Sequence, residues 1–192
     1  MTMNDADLLR YSRQIMLAQL DIEGQERLLA GRVLVVGAGG LGSPVALYLA
    51  AAGVGRLTLA DADVVEPSNL QRQIAHGEGD LGRNKAQSAR ESALALNPGC
   101  RIETLTDHLE GESMAAAVAD ADVVLDCTDR FSSRYAINAA CRRAGSASRG
   151  SWRCSIPGTR SAPATPASIR RTAAATRRSP APRAGWWPPW WG

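Results

Sequence analysis

Apolar residues fall in short blocks along the first 144 positions of this 192-residue chain, and the blocks alternate between strand-like and helix-like spacing. Val33-Leu34-Val35-Val36 is an unbroken apolar run with three Val, as a strand buried on both faces requires. Residues 56–60, the alternating 101–106 and 122–126 read as three further strands. Between them, residues 41–52, 84–96, 110–119 and 132–143 read as helices. The first of these is built of small residues that suit close packing on a sheet, and the second is ended by Asn97-Pro98-Gly99. Residues 5–20, apolar at Leu8, Leu9, Ile15, Met16 and Leu20, form a helical segment ahead of the first strand, and residues 22–29 form a second. Residues 61–80 are polar and loop-like. Strands alternating with helices predict an α/β fold, a doubly wound, mainly parallel, Rossmann-like sheet with N-terminal helices.

Composition changes that picture at one place. The formal charge of +3 averages two unlike parts. Residues 1–144 hold 14 basic and 19 acidic side chains, whereas 145–192 hold eight Arg and no acid. The second part also lacks Leu and Val and carries seven Pro and all five Trp. The domain boundary therefore falls between 144 and 145. No apolar run reaches the roughly 18 residues of a membrane span, and no basic stretch followed by an apolar one opens the chain. A cytoplasmic protein with no membrane partner is expected. Cys100, Cys127, Cys141 and Cys154 show no C-x-x-C spacing, so neither a zinc site nor a disulfide framework can be read from them.

The candidate chemistry begins where the first strand ends, at Gly37-Ala38-Gly39-Gly40-Leu41-Gly42. Glycines there let the chain turn sharply and approach a phosphate, and the helix they open offers free N–H groups to an anion. Asp61, nineteen residues beyond Gly42, suits a ribose hydroxyl. Alone, this pattern leaves a nicotinamide oxidoreductase open. Asn69-Leu70-Gln71-Arg72-Gln73 and Lys85 add cations after the second strand. Lys85 is the only lysine in the chain, and an ammonium is a compact charge for a phosphate; its alternative role is a solvated helix start.

Asp126-Cys127-Thr128-Asp129 closes the fourth strand, at the sheet edge that faces the ligand crevice in such folds. Asp129 is a candidate Mg²⁺ ligand beside a triphosphate, or else a cap for the helix near Phe131, with Asp126 capping or orienting. Cys127 reads as a small buried apolar residue. His76 and His108 match no motif and are expected in surface or loop positions. Gathered at one sheet edge, the loop, Asp61, Arg72, Lys85 and Asp129 suit chemistry on ATP phosphates better than hydride transfer.

Residues 1–144 resemble the ThiF/MoeB/HesA family, the bacterial relatives of ubiquitin-activating enzymes. The matching stretches, in order, are Arg10-Tyr11-Ser12-Arg13-Gln14-Ile15, the Gly37–Gly42 loop, Leu59-Ala60-Asp61-Ala62-Asp63, residues 68–73, Lys85 and residues 126–129. The opening motif and spacing are more similar to the molybdopterin-synthase branch, which serves molybdenum cofactor biosynthesis, than to the thiamine branch. The resemblance implies an adenylyltransferase. In that reaction the C-terminal glycine carboxylate of a ubiquitin-like sulfur-carrier protein attacks the α-phosphate of ATP·Mg²⁺, giving an acyl-adenylate and pyrophosphate.

The resemblance also implies site residues. Gly37, Gly39, Gly40, Gly42, Asp61, Asp63 and Asn69 would bind the nucleotide, Asp61 through its ribose. Arg72 and Lys85 would neutralise the phosphates and Asp129 would bind Mg²⁺. Arg13 would reach into the neighbouring subunit's site of a homodimer. Zinc, held in the family by two C-x-x-C pairs, has no such ligands in this sequence.

After position 144 the family pattern stops. A segment so rich in Arg, Pro, Ala and Ser is expected to be disordered, because it cannot bury enough surface to offset its ordering entropy. Trp has a single codon, TGG, which makes the segment Gly185–Gly192 readable in another frame. Shifted by one nucleotide it permits G-V-V-A-P-L-V-G, and the same shift over 163–170 permits P-C-Y-x-C-L-Y-P, both family-like. The reading is a frameshift near Gly145, in a damaged gene or through a sequencing error. The chain would then lack the carrier-binding half and be poorly active. The competing reading, a basic aromatic tail for nucleic acid, fits less well, since the Arg are scattered and four of the five Trp sit among Pro; no nucleic-acid partner is expected. Two other functional classes stay open, a non-catalytic nucleotide-binding fragment and a thiamine-pathway adenylyltransferase.

Overall fold

The computed structural model describes residues 3–147 and 154–155; the rest of the Arg- and Pro-rich segment, and with it the expected disorder, lies outside the described residues. Strands β1 (Arg32–Val36), β2 (Arg56–Ala60), β3 (Arg101–Leu105), β4 (Val123–Asp126) and β5 (Cys154–Ser155) form one sheet in the order β3-β2-β1-β4-β5. All four pairings are parallel, Val36 standing opposite Ala60 on one side and Asp126 on the other. This is the doubly wound Rossmann-like topology, with its switch point between β1 and β4. The short β5 pairs with β4 beyond position 144, where the apolar pattern gave no strand.

Both faces are covered. Helices α4 (Gly42–Ala51) and α5 (Lys85–Leu96) pack on Val35, Leu57 and Leu59 through Ala46, Ala50, Ala86, Ala89 and Ala93. Small residues bring these helices close to the sheet. On the opposite face α6 (Gly111–Ala119) and α7 (Phe131–Ala147) bury Met114, Val118, Ile137 and Ala140 against Leu34, Val36 and Val124. The apolar run of β1 thus feeds both cores by alternation, as a strand with two covered faces must.

The N-terminal helical segment is broken rather than continuous. It forms α1 (Asp5–Arg10) and the four-residue α2 (Ser12–Ile15), followed by α3 (Asp21–Ala30). The break is at Tyr11, whose ring is 3% exposed and lies against Gly53, and whose hydroxyl accepts from Asn97 Nδ2 at 2.8 Å. Asn97 also donates to the Ala50 carbonyl, so Tyr11 docks where α4 and α5 end. Burying that ring fixes a non-helical backbone at Tyr11 that local periodicity does not reveal. Asp21 takes a left-handed φ of 52° and accepts the Gly24 N–H, which starts α3.

Residues 61–80, polar in sequence, are not a free surface loop. Val65, Asn69, Gln73, Ala75 and His76 are buried within them, two 3-10 turns (Pro67–Asn69 and Glu78–Asp80) shape them, and Val64 bridges to Asn84. Among the described residues no helix is long and apolar enough to cross a membrane.

Candidate functional site

The C-terminal ends of β1, β2 and β4 open into a cleft of about 720 Å³, within the roughly 300–1,000 Å³ of small-ligand sites. Gly37, Gly39, Gly40, Asp61, Asp63, Asn69, Arg72, Lys85 and Asp129 all line it. Gly42 opens α4 just behind them and is buried.

The glycine loop is shaped by two steric demands. Gly37 has φ 93°, and a Cβ there would come within 2.9 Å of the Cys127 carbonyl; a Cβ on Gly42 would collide with the Gly37 carbonyl oxygen. The N–H groups of Gly39, Gly40 and Gly42 find no partner among the described residues. They are the free donors that the start of a helix offers to an anion.

Asp61 is already engaged in the protein. Its Oδ2 accepts the Ala38 N–H at 2.7 Å and its Oδ1 the Asp63 N–H at 2.9 Å, so it fastens the glycine loop to the end of β2. Each oxygen keeps a second lone pair for a ligand hydroxyl. Asn84 caps α5 by accepting from Ala86 and Gln87 N–H, and its own amide donates to the Asp61 carbonyl at 2.8 Å.

Lys85 therefore sits at the first position of α5, where the helix dipole disfavours a cation. It is only 8% exposed, which removes the solvated-helix reading, and Nζ pairs with the exposed Asp63 at 3.1 Å. Asp63 thereby holds Lys85 in the cleft. Arg72 is exposed and braced by its Nη1 on the Ser68 carbonyl at 3.0 Å. Asn69 is buried and accepts from the Glu66 N–H, closing the turn that carries Arg72.

On the β4 side, Asp126 is 2% exposed and orients the loop by accepting from the Thr128 N–H (3.0 Å) and hydroxyl (2.7 Å). Arg134 on α7 grips the Thr128 carbonyl from beyond. Asp129 is exposed, lines the cleft and has no hydrogen bond or ion pair among the described residues; it makes no helix cap. One free carboxylate facing a phosphate-sized space fits Mg²⁺, which takes one or two carboxylates plus phosphate oxygens. Among the described residues no three His, Cys, Asp or Glu converge. Burial and Asp126 push the Cys127 thiol up to about 11, the behaviour of a packed thiol rather than a nucleophile.

Arg13 lies elsewhere. It is exposed on α2, which follows Tyr11 at the far ends of α4 and α5, while the cleft is at their starts. A ten-residue helix spans roughly 15 Å, so Arg13 does not reach the cleft of its own chain. His76 corrects its expected surface position: it is 6% exposed and bonded to the glycine loop. His108 is exposed in the loop after β3 and lines the cleft with Asp107 and Leu109, which no motif signalled.

Fold and cleft together define a doubly wound α/β domain with a glycine-rich loop lining a cleft at its switch point. The sequence model of the ThiF family matches residues 11–150, and the chain belongs to that family. It is 53% identical over 139 residues to the sulfur carrier protein ThiS adenylyltransferase of Escherichia coli, covering 72% of this chain and 55% of that one. It is 48% identical, again over 139 residues, to the molybdopterin-synthase adenylyltransferase of Salmonella typhimurium, covering 72% and 56%. The chain thus spans about half the length of these curated relatives, and the two identities do not separate the branches. The structure of E. coli tRNA N6-threonylcarbamoyladenosine dehydratase in complex with ATP superposes with a TM-score of 0.70 at 29% identity, over 76% of this chain and 59% of that one.

Proposed function

We propose that this chain carries the ATP-binding part of an adenylyltransferase that activates the C-terminal carboxylate of a ubiquitin-like sulfur-carrier protein. One observation carries the reading. The only lysine is buried at a helix start that disfavours it, beside glycine-loop N–H groups and opposite the Asp129 carboxylate, none of which has a partner among the described residues. That is a receptor for a polyphosphate with its metal. Hydride transfer needs neither the lysine nor the carboxylate.

In this reading Asp61 holds the ribose, and the N–H groups of Gly39, Gly40 and Gly42 receive phosphate oxygens. Lys85 leaves Asp63 for the phosphates, and Arg72 neutralises them from the opposite turn. Asp129 would hold Mg²⁺, which would supply charge neutralisation for the phosphates. The carrier carboxylate displaces pyrophosphate from the α-phosphate, so catalysis is positioning and electrostatics. Arg13 serves the cleft of a second copy. The similarity to the E. coli sulfur carrier protein ThiS adenylyltransferase supports the carrier class.

ATP–pyrophosphate exchange in the presence of a thiamine-pathway or a molybdopterin-synthase carrier tests the reading and tells the two pathways apart. Nucleotide binding without exchange, unchanged by Asp129→Ala, favours a binding fragment instead. Binding of a nicotinamide cofactor in place of ATP would sink it. We further propose that residues after 145 are read in a shifted frame, so that exchange is weak and restoring the frame raises it. Resequencing codons 140–150 decides that point.

A further inference from the structure

Ala38, the second residue of the glycine loop, is tied at both of its polar groups. Its N–H donates to Asp61, while its carbonyl lies 3.0 Å from His76 Nε2 and 3.1 Å from the Ser43 hydroxyl. A carbonyl has no proton to give, so His76 Nε2 carries one and donates it. The other ring nitrogen, Nδ1, is 2.8 Å from Ser88 Oγ on α5, and the residue is 6% exposed. Ser43 belongs to the helix that the loop itself opens and cannot anchor it to anything else. His76 does so, joining the loop to the helix that begins with Lys85.

The peptide plane gives this contact a consequence. In a trans peptide the Ala38 carbonyl and the Gly39 N–H point in opposite directions. With glycine on one side, little steric resistance opposes a flip of that plane. Flipped, it would present a carbonyl oxygen where an anion now meets an N–H donor. We propose that His76 is a positioning residue of the nucleotide site. Its Nε2–H, together with the Ser43 hydroxyl, keeps the Ala38 carbonyl turned from the cleft and so leaves the Gly39 N–H, unpartnered among the described residues, for a phosphate. This role rests on the nucleotide reading above and assigns a further residue to that site.

The test compares the full chain with its His76→Gln, His76→Asn and His76→Phe variants, titrating ATP·Mg²⁺ and adenosine calorimetrically. Gln carries an N–H at about the reach of Nε2; Asn reaches only the Nδ1 position. The Asn and Phe variants should bind ATP roughly tenfold more weakly with adenosine affinity held within about twofold, and Gln should restore ATP binding to within about threefold. ATP affinity unchanged in the Asn and Phe variants overturns the role. So does a parallel loss of ATP and adenosine, which a merely structural residue would give, or failure of Gln to rescue.

The unsubstituted chain offers a second measurement that needs no variant. Nitrogen NMR should find the His76 proton on Nε2, and ATP but not adenosine should shift the Gly39 amide. An unprotonated Nε2 overturns the role. If the unsubstituted chain binds neither ATP nor adenosine, the nucleotide reading fails and this role with it. If it binds ATP and the variants match it, the role alone fails.

Discussion

Lys85 shows most directly what the proposed nucleotide site asks of one side chain. Its burial and its place at a helix start both oppose a cation, and Asp63 is its only ion-pair partner among the described residues. Lys85→Ala should therefore raise the melting temperature or leave it unchanged while cutting ATP–pyrophosphate exchange by on the order of 10²-fold or more. A variant that melts lower and keeps its exchange would contradict this. Asp61 behaves oppositely, because its two backbone hydrogen bonds belong to the fold. Asp61→Ala should cost about 2–4 kcal/mol of stability as well as nucleotide affinity, a loss that denaturant titration without ligand would register.

At the scale of elements, the dependent part is the N-terminal pair α1 and α2. Its anchor is Tyr11, and a Cβ on Gly53 would lie 2.5 Å from that ring at a backbone φ of 84°. Gly53→Ala should loosen α1 and α2 and destabilise the chain by about 2–4 kcal/mol, through strain and lost packing together. Hydrogen exchange should rise over residues 5–20 while β1 and β2 stay protected; uniform exchange would disprove the local docking. That break at Tyr11 was invisible to periodicity because both flanking segments are helical. Helices α4 to α6 and strands β1 to β4 were legible within a residue or two, since their burial follows their own apolar pattern.

At the scale of the whole molecule, ion pairs between distant elements set how stability responds to pH. At the sheet edge away from the cleft, Arg32 and Arg56 pair with Glu103, Asp120 and Asp122. Hydrogen bonds from Arg56 and Arg32 hold the Glu103 and Asp122 carboxyls below their usual range, and the Gly77 N–H does the same for Asp80. Folded values below unfolded ones mean stability that is present at neutral pH and lost as these groups protonate. The melting temperature should be flat from pH 7 to about 5 and fall below about pH 4; a fall beginning near pH 6 would point to His instead. Assembly is tested by complementation. If Arg13 serves the cleft of a second copy in a homodimer, as proposed, Arg13→Ala and Lys85→Ala, each inactive alone, should on mixing recover up to about a quarter of the exchange, since half the dimers would be mixed and each would have one intact site.

The sequence by itself determined the parallel α/β order, the glycine loop with Asp61, and that Arg72, Lys85 and Asp129 gather at one cleft, because strand periodicity, sharp turns and charged side chains at strand and helix ends are written in local residue types. It also marked residue 145 as a change of composition. Tertiary structure decided what distance along the chain conceals. Asp63, which lines the cleft, also holds Lys85, and Arg13 fell beyond reach of its own cleft. Val65, Asn69, Gln73 and Ala75, within a stretch polar in sequence, became buried, and His76, without any motif, was drawn onto the glycine loop. Each of these depends on contacts between residues far apart in sequence or on the register of packed elements, and no local pattern encodes such a contact.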